Sequence, residues 1–463
     1  MFKILCIFLI FVLTSCNVKE DIVPSYGLVF DEQKYTQVPL RAMEISRSYE
    51  EIPSAVSLKK YAPIPGNQNP YGTCSAWSST YGARTIMESI ALNRTDKKQT
   101  TKNVFSPLYT YKSLSNDSTC RTGLHLSDVI SFLSYNGVPK RLEQESYSNF
   151  ADYSLSNYSN KDKYSIADYN RLFAASHSNF YKIQAIKKSI AEKHPVVIGM
   201  RIFSSFIDPG KMWSVDDDGT DKEKEAHAMV IVGYDDMKYG GSFEVMNSWG
   251  VDWADGGFVW IPYNDLATYV FEAYELIEDL SLYSNLAEFD AEIEIPVWGE
   301  YQNMPVEFMP EGYYRSTKAY ESGTQFQLFI TTNEPSYVYA FASDEATKKT
   351  TPIFPYEKGI SALMDYSKST IAYPAEDAYI QMDSTAGTDY IVVLFSKKKL
   401  NLTSIMKAYE QSDGGFVSRV TGAVGSNFMK PLVSNYSSNK IKFSVSTENK
   451  YAVTCLLIAI DHT

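Results

Sequence analysis

Cysteine is scarce in this chain, with five in 463 residues, and two of the five fall within the first sixteen positions. A disulfide framework of the kind that staples small secreted domains is therefore excluded. Basic charge is also in deficit, since 43 Lys and Arg stand against 55 Asp and Glu, for a net charge of −12. A protein that neutralises nucleic-acid phosphates needs the opposite balance, so no nucleic-acid partner is expected. No zinc-ligand spacing and no phosphate-binding glycine loop is present, so no metal and no cofactor is expected. Internal repeats and low-complexity tracts are also lacking. What is there in quantity is apolar material, 44% hydrophobic and 14% aromatic, enough for substantial cores in two to three domains. Tyrosine is abundant at 35, and many tyrosines cluster with Ser and Asn, a composition suited to loops and solvent-facing strands.

The first residues, "MFKILCIFLIFVLTSC", carry one Lys, an apolar run too short for a comfortable membrane span and a small-residue ending. Residues 1–15 read as a secretory signal. The ending Leu13-Thr14-Ser15-Cys16 resembles the lipobox of bacterial lipoproteins, which implies cleavage before Cys16 and a lipid on that residue. Membrane attachment would be through this lipid alone, each buried methylene contributing about 0.8 kcal/mol. The following "NVKED" lacks an Asp directly after Cys16 and resembles the Lys-then-acidic tag of surface-exported lipoproteins. The expected location is the bacterial cell envelope, at the outer membrane. With Cys6 removed and Cys16 lipidated, Cys74, Cys120 and Cys455 remain, an odd count that leaves at least one free thiol.

Residues 16–50 form an arm without sustained periodicity. Pro53, Pro63, Pro65 and Pro70 then impose an extended segment. Helices are expected from Cys74 to about Leu92, with Trp77, Tyr81, Ile86, Ile90 and Leu92 as its apolar stripe, and over 124–137 and 181–193. Short β-branched or aromatic runs at 195–203, 226–236, 242–249 and 256–262 read as strands. Helices followed by antiparallel strands describe a two-lobed α+β domain over 51–280. From 281 to 463 runs such as "AEIEIPVWGEY", "SYVYAFAS" and "TDYIVVLFS" predict an all-β sandwich.

The chemistry concentrates in "NQNPYGTCSAWSSTYGA". Cys74 lies at a predicted helix N-terminus, where unpaired N–H groups favour a thiolate. His227 opens a strand in "EAHAMVIVGY", and Asn247 in "EVMNSWG" could lie on the neighbouring strand and accept the imidazole N–H. Gln68 could join the Cys74 backbone N–H as an oxyanion hole.

These residues carry a resemblance to the papain family (C1-type) of cysteine peptidases. "QNPYGTCSAWS" is similar to the family's Q-x-x-x-G-S-C-W-A-F-S, "HAMVIVGYDD" to H-A-V-x-x-V-G-Y, and "NSWGVDWADGGFVWIP" to N-S-W-G-x-x-W-G-x-x-G-Y-x-x-I, in the order Cys, His, Asn. The resemblance implies a helical left lobe, an antiparallel right lobe and peptide or protein substrates. It implies that Cys74 is the nucleophile and His227 its base and later acid. Asn247 would orient His227, Gln68 and Cys74 would hold the oxyanion, Trp249 would shield the His227–Asn247 bond, and Gly72 would support the loop. Gly123 and Thr122, with Ala226 and Ala228 beside His227, would line the substrate.

Departures are equally specific. Tyr71 stands where the family places a cysteine paired to the one at Cys120, so Cys120 is expected unpaired. Ser75 replaces a tryptophan and would open the cleft wall, while Thr122 replaces a glycine and would narrow the cleft. The segment between Cys16 and Glu51 is much shorter than the family's inhibitory propeptide and is expected to be a tether rather than a short cleft blocker. Residues 320–463 resemble a domain of unknown function appended to bacterial enzymes, and its partner is not implied. His125 is expected on a helix N-terminal surface, His194 in a turn, and His177 and His462 without a role. The loop "SVDDDGTDKEKE" places Asp216, Asp218, Gly219 and Glu225 at EF-hand-like positions but begins with Ser214, and is expected to be solvated rather than metal-binding. The same Cys and His could serve an acyl transferase, or the domain could be a relic in a surface-binding protein, although the intact quartet argues against a relic.

Overall fold

The computed structural model describes residues 26–50, 52–143, 145, 153–215, 221–279, 286–300, 302–365, 368–429, 435–437 and 440–463. Cys16, Asp216, Asp218 and Gly219 lie outside them.

The expected central helix runs unbroken from Cys74, as Cys74–Ala76, a π-wound Trp77–Arg84 and Thr85–Ala91. Trp77, Tyr81 and Ile86 are buried as the stripe requires, whereas Leu92 lies at the helix end and is exposed. Arg84 is wholly buried within this helix, pairs with Glu278 at 2.7 Å and lies over the Phe105 ring. Helices Pro107–Leu114 and Leu126–Tyr135 complete the left lobe; the second is stopped by Gly137, whose φ of +66° suits a residue without a Cβ.

The right lobe is a seven-stranded antiparallel sheet in the order Asp168–Arg171, Val270–Ile277, Val196–Phe203, Glu223–Asp235, Ser242–Met246, Phe258–Pro262, with Ala55–Ser57 also on Glu223–Asp235. Helix Asn179–Ala191 packs against this sheet. Strands Val196–Phe203 and Glu223–Asp235 are apolar on both faces over most of their length, because helices cover the side that an isolated sheet would leave wet.

The C-terminal part stacks two further sheets. A five-stranded one, including Ala287–Glu294, Leu328–Thr332 and Lys440–Thr447, alternates buried and exposed residues and faces solvent on one side. An eight-stranded one is built around Ser336–Asp344, Gly387–Ser396 and Val453–His462. "VTCLLIAIDH" is buried on both faces. Its inner face meets the five-stranded sheet, and its outer face is covered by helices Leu402–Gln411 and Phe416–Val424. A strand-only reading missed this helical pair. Asn401, which accepts from the Ser404 N–H, marks the first helix, and Gly425 at φ +75° ends the second.

The arm is not a free tether. Residues 26–30 lie against the left lobe, Leu28 bridging Leu124 in parallel. Asp31 caps helix Glu32–Gln37 by accepting from Gln33 and Lys34 N–H. Tyr35 of that helix is buried against Phe173 and Tyr274, and its hydroxyl donates to the Phe173 carbonyl at 2.7 Å. Burying such a side chain contributes roughly 2–3 kcal/mol, more than one exposed ion pair supplies.

Candidate active site

The central helix begins at Cys74, so the Cys74 N–H has no carbonyl one turn earlier to bind and remains aimed outward. Strand Glu223–Asp235 brings His227 beside it, and the thiol lies within reach of the neighbouring Ala228 backbone. Strand Ser242–Met246 pairs with the same strand and ends one residue before Asn247. The Asn247 Oδ1 atom stands 2.8 Å from His227 Nε2 and also accepts from the Ser248 N–H at 2.7 Å. An atom that accepts from a backbone N–H is the carbonyl oxygen of the amide, so Nε2 must carry the hydrogen. The other nitrogen, Nδ1, is buried without a partner among the described residues and is left with its lone pair, which is what a proton acceptor requires. Trp249 covers this pair, its ring 4.8 Å from the His227 ring.

Gln68 is fixed on both sides of its amide. Its Oε1 accepts from the Ser248 hydroxyl and its Nε2 donates to the Tyr71 carbonyl at 3.0 Å, while its N–H binds the Ser248 carbonyl at 2.8 Å. Ser248 therefore serves the Asn247 and Gln68 ends of the site together. Spacing alone could not reveal this, although the serine is adjacent to Asn247 in "NSWG".

The Thr122–Gly123 loop is held without the disulfide of the family pattern. Cys74, Cys120 and Cys455 are all free. Tyr71 and Cys120 join Ala76, Leu108 and Tyr111 in a small apolar cluster. The exposed Asp117 carboxylate accepts from Thr119 N, Thr119 Oγ1, Arg121 N and Thr122 N at 2.6–2.9 Å. Those bonds, the Thr119 hydroxyl foremost, hold its carboxyl well below the usual range. A carboxylate cap thus replaces a covalent clip. Ser75 does not leave an open wall: it is buried and donates to the Leu124 carbonyl at 2.8 Å.

The arm fills the cleft between these groups. Gly27 accepts from Leu124 N at 3.0 Å, and a Cβ on it would fall 2.0 Å from the Gly72 carbonyl oxygen. Gly72 and Gly123 are tight in turn: a Cβ on Gly72 would meet the Tyr26 carbonyl at 2.7 Å, and one on Gly123 the Gly27 carbonyl at 2.8 Å. Three glycines let two backbones touch. Tyr26 lies edge-on to His227 and Trp249. His125, expected at the surface, turns its Nδ1 to the Val29 carbonyl at 3.0 Å. The Lys34–Asp128 pair at 2.6 Å ties the arm helix to the left lobe.

Cys74 and His227 are consequently without solvent exposure. Burial pushes the thiol up to about 12 against the opposing backbone contacts of Ala228 and Gly27, and pushes His227 down to about 4 against its Asn247 bond. The thiolate expected from the helix N-terminus is not the state of this closed cleft, because exclusion of water outweighs the helix field.

Leu28 enters a depression at Gly199, where a Cβ would lie 2.7 Å from its Cδ2 and 2.6 Å from Glu272 Oε1. Glu272 is buried, accepts from the Tyr274 hydroxyl at 2.7 Å, has no partner at Oε1 among the described residues, and is pushed up to about 8 by burial. Nothing in the motifs pointed to it. The available signal was the pair of carboxylates, Glu272 and Glu275, in the otherwise largely apolar run "VFEAYELI". Ala228 is buried beside the thiol, and Ala226 is half-buried two residues before it. Among the other histidines, His194 is not a simple turn residue, since its Nε2 stands 3.2 Å from Asp365 of the C-terminal part. His177 accepts from Ala174 N, and His462 pairs with Asp389. Among the described residues no cluster of metal-binding side chains occurs.

Residues 59–275 match the family model for papain family cysteine protease, and residues 319–399 that for a domain of unknown function, DUF4384. No curated protein matches the chain. Solved structures with similarity include xylellain, a cysteine protease from Xylella fastidiosa, at 18% identity over 55% of this chain and 97% of that one, with a TM-score of 0.42. A procathepsin B from Trypanosoma congolense matches at 12% identity over 54% of this chain and 85% of that one, TM-score 0.42. The proform of the ragweed pollen cysteine protease Amb a 11 matches at 17% over 55% and 76%, TM-score 0.39. Residues 59–275 thus form a papain family cysteine protease domain, which is followed by a DUF4384 domain.

Proposed function

We propose that this protein is a cysteine peptidase that hydrolyses peptide bonds through a Cys74 thioester and is kept latent by its own arm. The observation that carries the reading is the His227 tautomer, with Nε2–H given to Asn247 and Nδ1 bare beside the helix that begins at Cys74. In the opened cleft Nδ1 takes the thiol proton as sulfur attacks the scissile carbonyl. The oxyanion is met by the Cys74 N–H and the Gln68 amide, and the proton passes to the leaving amine. Water then hydrolyses the thioester by the same route in reverse. Turnover of a peptide library by arm-displaced protein tests the reading, and no cleavage of any member would overturn it.

Ser248 is a positioning residue in this scheme. Ser248→Ala should lower kcat about tenfold with little change in KM, the effect of one lost orienting hydrogen bond. Equal loss in both parameters, or none, would remove that role.

We also propose that Cys16 carries the lipid that places the enzyme in the bacterial envelope. Cys16→Ser should abolish incorporation of a clickable palmitate analogue and release the protein from membranes. Full labelling of the variant would refute the anchor.

A further inference from the structure

We propose that the C-terminal domain, which has no assigned role, is the latch that holds the cleft-blocking arm in place. The inference rests on the reading that residues 26–30 keep the cleft shut, and concerns what secures them.

Thirteen residues beyond Gly27, the arm passes between the two halves of the molecule with its backbone divided between them. The Pro39 carbonyl accepts from Arg171 N at 2.9 Å and Arg41 N donates to the Arg171 carbonyl at 3.0 Å, both on the peptidase side. Between these, Leu40 turns the other way. Its N–H donates to the Gly359 carbonyl at 2.7 Å and its carbonyl accepts from Ser361 N at 2.8 Å, both on the C-terminal domain. This is the alternation of a strand paired on each edge, and Leu40 bridges Arg171 and Ile360 in parallel.

The grip continues along the arm. Ala42 is buried in the core between the two C-terminal sheets. Ile45 N donates to the Thr370 carbonyl at 3.0 Å, and the Ser46 N–H and hydroxyl both donate to Glu376 Oε2, at 2.7 and 2.6 Å. The loop presenting Glu376 is itself braced, because Gln327 Nε2 lies 2.8–3.0 Å from the carbonyls of Ala375, Glu376 and Ala378. On the peptidase side Arg41 reaches Glu192 and Glu275, at 3.0 and 3.6 Å, and it also pairs with Glu44 of the arm itself at 2.8 Å. A segment that merely connected two domains would not have its backbone donors and acceptors shared out between both.

The latch has a mechanical consequence. Arm residues 26–30 dock next to a segment already immobilised, so they meet the cleft at high effective concentration, and loosening the second half weakens the first. Whatever displaces residues 39–46 from the C-terminal domain therefore loosens the hold of the arm on the cleft.

The test uses the full-length protein and the rate of Cys74 alkylation by iodoacetamide at neutral pH. Leu40→Pro removes the donor to Gly359 while sparing both bonds to Arg171. Glu376→Ala removes the acceptor of Ser46 from an exposed side chain without touching a core. Each should raise the rate by about three- to tenfold, the direction following the bonds lost. Gly27→Val, which expels the arm from the cleft directly, sets the fully open rate. If Gly27→Val opens the cleft while the other two variants alkylate at the parental rate, the latch is refuted and the blocking arm stands. If Gly27→Val leaves the rate unchanged, the blocking arm fails and the latch with it. Circular dichroism checks Leu40→Pro for folding, and should that variant unfold, Glu376→Ala alone decides between the outcomes.

Discussion

Cys74→Ala is expected to abolish peptide hydrolysis, with a loss of about 10⁴-fold or more, and to abolish labelling by an epoxide that traps cysteine peptidases. The substitution removes one buried sulfur and leaves the helix start and its N–H groups in place, so the fold is expected to survive. The measurement belongs in protein that also carries Gly27→Val, because in the closed cleft both variant and parent are silent for a different reason. Hydrolysis of a quenched peptide library and the mass of the labelled protein are the readouts. Retained labelling in Cys74→Ala would take Cys74 out of the role. Loss of labelling with hydrolysis retained would make another residue the nucleophile.

Gly27→Val should raise the alkylation rate of Cys74 at neutral pH by a hundredfold or more. The added Cβ would fall 2.0 Å from the Gly72 carbonyl oxygen and 2.7 Å from its Cα. Both are backbone atoms, held by the Gly72 N–H bond to the Cys120 carbonyl, so the neighbour cannot step aside as a flexible side chain would. Residues 26–30 must leave instead. Burial is what pushes the thiol up to about 12, from an ordinary value of 9.0. Returning water to the cleft therefore lowers the thiol from that raised value and increases the thiolate fraction at pH 7, before any help from the helix N-terminus or a protonated His227. The sign follows from the reacting species: the thiolate reacts, so the parent should alkylate only at strongly alkaline pH, and the variant's profile should move to lower pH. His227, pushed down to about 4 in the closed state, should titrate upward in the variant toward its ordinary 6.5 or above. Identical profiles for parent and variant would show that the arm does not control the thiol.

The juxtaposition of Cys74, His227 and Asn247 was legible because the motifs that carry them encode local geometry. Cys74 follows Pro70 and Gly72 and opens a helix whose stripe is readable from Trp77 to Ile86. His227 and Asn247 sit on or beside adjacent antiparallel strands, whose turn-bounded runs place neighbours together with little freedom. The arm was misread for the converse reason. Its contacts are to residues far away in sequence, Gly72, Leu124, Arg171 and Gly359 among them, and its own composition has no period that would announce them. Ser248 and Glu272 were missed because what matters about each is the atom it faces, Gln68 Oε1 in one case and the Leu28 side chain in the other. The helices Leu402–Gln411 and Phe416–Val424 escaped because each is short and lies between strands, where a brief apolar run fits either period.

By itself the sequence determined which atoms are available for chemistry and the local elements that carry them. A thiol at a helix start, an imidazole on one strand and an amide at the end of the next follow from short-range patterns in which each residue constrains its neighbours. Only the tertiary structure decided the state of those atoms. Whether Cys74 is thiolate or thiol depends on water, and water is kept out by a glycine forty-seven positions away, itself secured by a domain more than three hundred residues downstream. Protonation follows the solvation of a site rather than the identity of its residues, and solvation is set by whichever distant segments close over it.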